Sequence, residues 1–141
     1  MDVERTLKIL LAEDHDINRR VVALILDGLD VELTMAIDGQ EAVARFRPGE
    51  YDLVLMDMQM PNMGGLEAIA HIRQAERNAG ARATPVVMLT ANALPEHQAA
   101  GLAAGADAFL TKPIVARDLI DAIARLRRTP VGTPPQGLPS P

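Results

Sequence analysis

Residues 7–14 read LKILLAED, a short apolar run that ends in two acids. The pattern recurs along the chain, because an apolar run also precedes Asp57, another precedes Thr90, and a shorter one leads to Lys112. Short apolar runs separated by helix-like stretches are typical of buried parallel strands. The carboxyl ends of such strands meet at one edge of an open sheet, where ligands usually bind. The sequence therefore predicts a site that combines acids, a hydroxyl and a cation.

Composition narrows the class of protein. The chain has 141 residues, enough for one domain with a single core, and it carries a net charge of −5. Aromatic residues make up only 2%, which together with the negative charge disfavours nucleic-acid binding. Cysteine is absent, which excludes disulfides and thiolate metal sites. No apolar run approaches the roughly 20 residues of a membrane helix, and early charges argue against a signal peptide. We therefore expect a cytoplasmic domain that binds neither nucleic acid nor membrane.

Periodicity predicts five strand–helix units. Strands are predicted at 7–12, 31–36, 53–56, 86–89 and 108–110, and helices at about 16–26, 39–46, 66–79, 95–104 and 115–127. The fourth helix has a thin apolar face, Leu94, Leu102 and alanines, which predicts weak anchoring. Helical spacing predicts the buried side chains of the first and last helices to be Ile17, Val21, Leu24 and Ile25, and Leu119, Ile123 and Leu126.

Right-handed crossovers between these units give a parallel sheet with helices on both faces, an α/β architecture. We expect one folded domain over residues 1–128. Residues 129–141 are rich in proline and glycine and are predicted to be a disordered tail or linker.

Three carboxylates, those of Glu13, Asp14 and Asp57, are expected at the same edge of the sheet. Like charges that close are unfavourable unless a cation or a proton intervenes. Oxygen ligands suit Mg²⁺, with Mn²⁺ as a possible substitute. No histidine is expected to add a nitrogen ligand, which argues against zinc. A carboxylate beside Mg²⁺ can attack phosphorus to form an aspartyl phosphate, and Asp57, alone after the middle run, is the predicted nucleophile.

Four motifs carry a resemblance to a known family: ILLAED at 9–14, DMQMP at 57–61, LTAN at 89–92, and the pair Lys112–Pro113. Together they resemble the receiver domains of bacterial two-component response regulators, and most closely those of hybrid sensor histidine kinases. The resemblance spans residue 7 to about residue 126. It implies a flavodoxin-like (βα)5 three-layer sandwich whose five parallel strands are ordered 2-1-3-4-5, and a cis peptide bond before Pro113.

The resemblance also implies a role for each acid. Asp57 would be the phosphoacceptor. Glu13, Asp14 and Asp57 would hold Mg²⁺ together with the backbone carbonyl of Gln59.

Further roles follow from the same resemblance. Thr90 and Lys112 would contact the phosphoryl group. Thr90 and Phe109 would form the switch, with Phe109 at the position of the switch aromatic. Gln59 and Asn92 would tune the loss of the phosphoryl group to water.

The implied function is a phosphorylation switch. A histidine kinase or phosphotransfer protein would donate the phosphoryl group, and the face made of the fourth helix, fifth strand and fifth helix would rearrange. A downstream protein or a second copy of the chain would bind that face. Such a domain is not an enzyme beyond its own phosphorylation and dephosphorylation.

Alternative interpretations remain open at the level of sequence. An aspartyl-phosphate phosphatase would want a second acid two residues after the nucleophile, where this chain has Gln59. A receiver-shaped adaptor would need no phosphorylation. Phe109 could be a static core residue. His15, His71 and His97 are expected on the surface, although His15 adjoins the acids.

Overall fold

The structure, a computed structural model, describes residues 6–126. The predicted tail at 129–141 and the final residues of the predicted domain lie outside the described residues. Five strands alternate with five helices in the order β1 (Leu7–Ala12), α1 (Asp16–Leu26), β2 (Val31–Ala36), α2 (Gly39–Arg45), β3 (Leu53–Asp57), α3 (Gly65–Ala79), β4 (Val86–Thr90), α4 (Pro95–Ala104), β5 (Ala108–Thr111) and α5 (Ala116–Leu126).

All strand pairs are parallel, and the sheet order is β2-β1-β3-β4-β5. The predicted flavodoxin-like fold and its strand order are therefore confirmed. Every residue of β3 and β4 is buried, as are the last four of β1, and nearly all of them are apolar, as expected for strands covered on both faces. The order matters for the site, because it sets the ends of β1, β3, β4 and β5 beside one another.

The core is divided between the two faces of the sheet. Alternate residues of a strand point to opposite faces, so Leu10 and Ile9 belong to different clusters. Side chains of α2 and α3, such as Ile69, pack on the first face. Side chains of α1 and α5, such as Leu26 and Leu119, pack on the second. The sheet is thus packed between two layers of helices, which fix the positions of the strand ends.

Three strands run one residue further than predicted, so that Asp57, Thr90 and Thr111 end β3, β4 and β5. These strands extend further because their last residues also pair with a neighbouring strand: Asp57 pairs in register with Leu89, and Thr90 with Thr111. Two helices are shorter than predicted, since α2 stops before Phe46 and α5 begins after residue 115.

The predicted buried face of α1 is wrong for two of its four residues, whereas Val21 is half-buried and Ile25 packs partly buried against the second cluster. Ile17 and Leu24 are 72% and 73% exposed, whereas Val22 and Leu26 are buried. Apolar residues cover more of this helix than one stripe, so spacing alone could not say which stripe faces the sheet. A local contact coincides with the observed rotation: the Arg19 guanidinium donates to the backbone carbonyl of Glu13, just before the helix, at 2.8 Å. The prediction for α5 is confirmed, with Leu119 and Ile123 buried.

Helix α4 is weakly anchored to the core, as predicted, but the residue that it buries is not one of the predicted leucines. Leu94 and Leu102 are 47% and 56% exposed. Within the described chain, Gly101 is the one buried residue of this helix. None of the helices formed by residues 6–126 is long and apolar enough to cross a membrane.

Candidate functional site at the carboxyl edge of the sheet

The predicted cation and two of the predicted acids form one buried cluster. Lys112, just beyond β5, holds its Nζ 3.1 Å from Asp57 Oδ2 and 3.0 Å from Glu13 Oε1. Both carboxylates are nearly inaccessible, at 3% exposure for Asp57 and 1% for Glu13. The amino group therefore bridges two acids that come from different strands. An additional contact restrains Asp57, because the backbone N–H of Gln59 donates to Asp57 Oδ1 at 3.3 Å.

Electrostatics in this cluster favour a proton or a cation on Asp57. Burial, and after it the charge of Glu13, raises the pKa of Asp57 to about 6, although Lys112 and the Gln59 N–H act in the opposite direction. Partial burial alone would lower the pKa of Lys112, but its hydrogen bonds and charge interactions with Glu13 and Asp57 outweigh that effect and raise it. Lys112 is thus held as an ammonium, and the site has more negative charge than one lysine neutralises.

The acidic pair beyond β1 adds further oxygen atoms. Glu13 Oε2 accepts from the backbone N–H of His15 at 3.1 Å and from Asn18 Nδ2 at 3.4 Å. The buried Oδ1 of Asp14 accepts no hydrogen bond from any residue that the structure describes. Converging carboxylate oxygens of this kind fit a hard divalent cation such as Mg²⁺.

A histidine belongs to this acidic group, contrary to the expectation from the sequence. His15 Nδ1 lies 3.3 Å from Asp14 Oδ1 and 3.5 Å from Glu13 Oε2. One donor atom from each of these three residues lies within 4.8 Å of the others, a spacing compatible with a shared metal ion. Sequence spacing did not show this, because His15 begins α1 and its ring direction depends on the backbone at that junction.

A cleft of about 150 Å³ opens over the cluster. Its lining contains five of the predicted site residues together with two histidines, a methionine and an alanine: Asp57, Gln59, Thr90, Asn92, Lys112, His15, His97, Met58 and Ala91. His97 was predicted to be a surface residue. The signal that could have found it is its place in the first turn of α4, whose amino end follows the Thr90 strand.

Thr90 and Asn92 are bonded to each other in the same cleft. The Thr90 hydroxyl donates to the backbone carbonyl of Asn92 at 2.8 Å and accepts from its N–H at 3.0 Å. Thr90 is buried, whereas the Asn92 and Gln59 side chains are exposed at the rim. The Thr90 hydroxyl can donate to a new acceptor only if it rotates and gives up its hydrogen bond to the Asn92 carbonyl.

The loop after β3 is fastened to the start of α2. Gly39 N–H donates to the Met63 carbonyl at 3.0 Å, and Asn62 Nδ2 donates to Asp38 Oδ2 at 2.7 Å. Hydrogen bonds from the Glu41 backbone and from Asn62 lower the pKa of Asp38. These contacts fix the loop that carries Gln59. The peptide bond between Lys112 and Pro113 is cis, as predicted.

Phe109, in β5, is half-buried and packs against the core beneath α4. A Cβ atom on Gly101 would fall 2.6 Å from Cζ of this ring. The aromatic therefore lies between the sheet and the weakly anchored helix.

With this geometry established, comparison with known proteins decides the family. Residues 9–124 match the response regulator receiver domain. The chain belongs to the receiver family. This receiver is 36% identical over 122 residues to the sensory/regulatory protein RpfC of Xanthomonas campestris pv. campestris, covering 86% of the chain but 17% of RpfC. It is 40% identical over 121 residues to hybrid signal transduction histidine kinase G of Dictyostelium discoideum, covering 84% of the chain and 4% of the kinase. The chain thus spans a small part of the length of these relatives.

Solved structures agree with the fold. The receiver domain of sensor histidine kinase PA1611 from Pseudomonas aeruginosa PAO1, with a magnesium ion coordinated in its active site cleft, shares 34% identity at a TM-score of 0.73, covering 86% of this chain and 97% of that one. A chain in the co-crystal of the Saccharomyces cerevisiae histidine phosphotransfer protein Ypd1 with the receiver domain of Ssk1 shares 30% identity at a TM-score of 0.81, covering 89% and 91%.

Proposed function

We propose that this receiver accepts a phosphoryl group on Asp57 from the phosphohistidine of a kinase or phosphotransfer protein. One observation carries the proposal: the Lys112 ammonium bridges Asp57 and Glu13 at the floor of a cleft that Thr90 lines. In the transfer, an Asp57 oxygen attacks phosphorus. The new O–P bond forms as the P–N bond to the donor imidazole breaks, and the departing imidazole nitrogen keeps the electron pair.

Glu13, Asp14 and Asp57 would hold Mg²⁺ together with the Gln59 carbonyl. When bound, the ion supplies positive charge against the phosphoryl oxygens. The donor set supports this assignment, because it consists of oxygens and includes the Asp14 Oδ1 that accepts no hydrogen bond within the described residues. The raised pKa of Asp57 supports the same assignment, since burial, and after it the charge of Glu13, disfavours the bare carboxylate, which a bound divalent cation would stabilise.

Lys112 and Thr90 would neutralise and orient the transferred group. An ammonium already 3.1 Å from the attacking carboxylate needs little movement to reach a phosphoryl oxygen. Thr90 would exchange its bond to the Asn92 carbonyl for one to the phosphoryl group. Gln59 and Asn92, exposed at the rim, would control how readily water reaches the phosphorus.

The output would be a population shift of the face made of α4, β5 and α5. Movement of Thr90 changes the floor beneath α4, and Phe109 can then take a different position against Gly101. The thin anchoring of α4 keeps the energy of this shift low. Exposed apolar side chains on α4 and α5, among them Leu102 and Ile120, offer area that a protein partner or a second copy could cover.

The relatives support a phosphorelay partner rather than a diffusible substrate. Similar receivers occur in hybrid histidine kinases, and one structural neighbour was crystallised with a phosphotransfer protein. A phosphatase is disfavoured, because Gln59 stands where a second acid would be needed. We propose a cytoplasmic location, which fits receiver domains.

Incubation with a small acyl phosphate and Mg²⁺, followed by intact-protein mass measurement, tests the proposal. We expect one added phosphoryl group in the wild type and none in Asp57→Asn or in the presence of a chelator. Asp121→Asn, an exposed carboxylate on α5, is the matched control and should react like the wild type. Absence of any adduct would favour the adaptor, and catalytic turnover of phosphoesters would favour the phosphatase.

A further inference from the structure

His15 is exposed along most of its side chain, at 70%, yet its Nδ1 turns back toward the acids. The backbone N–H of the same residue donates to Glu13 Oε2. Backbone and side chain of one residue therefore both approach the acidic pair. The backbone contact is typical of a residue at the start of a helix, whereas the approach of the imidazole to both acids is not required there.

The distances fit the edge of a metal coordination sphere. A small divalent ion with ligands at about 2.1 Å in an octahedron sets neighbouring donor atoms about 3.0 Å apart. His15 Nδ1 is 3.3 Å from Asp14 Oδ1 and 3.5 Å from Glu13 Oε2. These two spacings need movements of only a few tenths of an ångström to match the octahedron, and a donor atom of Glu13 lies within 4.8 Å of one of Asp14.

The imidazole also faces the cleft above Asp57. His15 lines the same cleft as Asp57 and Gln59, which supply the other expected oxygens. Asp14 Oδ1 is buried and accepts no hydrogen bond from residues 6–126, and the nitrogen nearest to it in the described contacts is His15 Nδ1 at 3.3 Å.

We propose that His15 is a nitrogen ligand of the divalent ion in this receiver, which gives the site a preference for late first-row metals over Mg²⁺. The inference rests on the proposed function, because it uses the same ion site. Mg²⁺ takes oxygen ligands and gains little from an imidazole. Affinity for nitrogen-containing sites rises from Mn²⁺ toward Ni²⁺, so Ni²⁺ is the sharpest probe.

A rival arrangement makes the opposite prediction. If His15 were only a positively charged partner of Glu13 and Asp14, it would compete with every cation. Its removal would then increase the affinity for Mg²⁺ and Ni²⁺ alike. The two roles of His15 are thus distinguished by whether its removal lowers or raises the affinity for Ni²⁺.

Calorimetric titration of the metal-free 141-residue chain with Mg²⁺, Mn²⁺ and Ni²⁺ provides the test, with His15→Asn as the variant. We expect the Ni²⁺ affinity to fall about tenfold or more, the range seen when even a supporting contact of a metal site is lost. The Mn²⁺ affinity should fall less, and the Mg²⁺ affinity should remain nearly unchanged. Exposure of His15 means that the fold should tolerate the change.

Two other histidines provide matched controls. His97→Ala removes the second imidazole of the cleft, and His71→Ala removes an exposed imidazole 3.8 Å from Glu67 that could bind Ni²⁺ on the surface of α3. Both variants should keep the wild-type ratio of Ni²⁺ to Mg²⁺ affinity. An unchanged ratio in His15→Asn, or a rise for all metals, would overturn the inference. Loss of Mg²⁺-dependent reaction with an acyl phosphate would instead contradict the proposed function, so the two failures can be told apart.

Discussion

The ring of Phe109 on β5 rests directly against the backbone of Gly101 on α4. A Cβ atom at position 101 would lie 2.6 Å from Cζ and 2.7 Å from Cε2 of that ring, closer than carbon atoms approach. Gly101 is the one buried residue of α4 in the described chain, so this contact is one point where the helix packs on the sheet. The position of Phe109 and the position of α4 are therefore coupled.

Replacing Gly101 with alanine should displace the Phe109 ring. The added methyl group occupies the space of the ring edge, and the ring can move more easily than the strand. The chain has two phenylalanines, so fluorophenylalanine labelling gives two ¹⁹F resonances, with Phe46→Leu for assignment. We expect the Phe109 resonance to move toward its position in the phosphorylated receiver.

Leu102→Ala, an exposed neighbour on the same helix, should leave the resonance in place. A Phe109 signal in Gly101→Ala that matches the wild type would show that the contact does not control the ring.

Removing Lys112 should destabilise the fold more than removing the other lysine. Lys112→Met leaves Glu13 and Asp57 buried without their shared ammonium, and loss of one partner from a buried ion pair costs roughly 3–5 kcal/mol. Lys8 lies 3.9 Å from Glu50 at an exposed site, so Lys8→Met should change the free energy of unfolding by less than about 1 kcal/mol. Urea unfolding of both variants without metal measures these changes in the free energy of unfolding. Equal losses of stability in the two variants would contradict the bridging role of Lys112.

Asp57→Asn should stabilise the metal-free protein at neutral pH. The pKa of Asp57 in the folded state, about 6, is raised above its usual 3.8, so the folded protein holds this proton more tightly than the unfolded chain. The stabilisation of the folded state by this bound proton is fully present below pH 4 and is lost as the pH rises through 6. The difference in pKa corresponds to at most about 3 kcal/mol.

The stabilisation by Asp57→Asn should therefore be larger at pH 7.5 than at pH 4.5. Urea unfolding of both proteins at the two pH values measures it. A variant less stable than the wild type at pH 7.5 would show that the charged carboxylate is favourable in the fold.

Asn62 makes two separable contributions to the loop beyond β3. Its φ of 66° is in the left-handed region, and its side chain donates to Asp38. Asn62→Gly keeps the backbone conformation and loses the hydrogen bond, whereas Asn62→Ala loses both. The alanine variant should be about 1–2 kcal/mol less stable than the glycine variant, the strain of a left-handed L-residue. Equal stability in thermal unfolding would mean that the loop relaxes to another conformation.

Much of the fold was predictable because buried parallel strands leave a direct trace in sequence. The apolar runs before Asp57 and Thr90 identified β3 and β4 and the edge where they end. Rotation of α1 was not predictable, since Ile17 and Leu24 are as apolar as the residues that are buried. The hydrogen bond between Arg19 and the Glu13 carbonyl, which ties α1 to the residues just before it, accompanies the observed rotation.

The site was predictable to the extent that its residues sit at strand ends. Lys112 bridges Asp57 and Glu13 because β1, β3 and β5 end at the same edge. His15 is the N-cap of α1 and His97 lies in the first turn of α4, next to the strand ends, but the direction of each ring depends on local backbone angles that composition and spacing do not encode. Their positions in the cleft required the structure.

Phosphotransfer to Asp57 is tested most directly by mapping the modified residue. The receiver would be incubated with a phosphorylated histidine phosphotransfer protein and Mg²⁺, and the product reduced with borohydride, which converts an aspartyl phosphate to homoserine. Peptide mass analysis should then find homoserine at position 57 and an unmodified aspartate there when a chelator is present. Homoserine at another acid, or none anywhere after the donor has lost its phosphoryl group to water, would contradict the account.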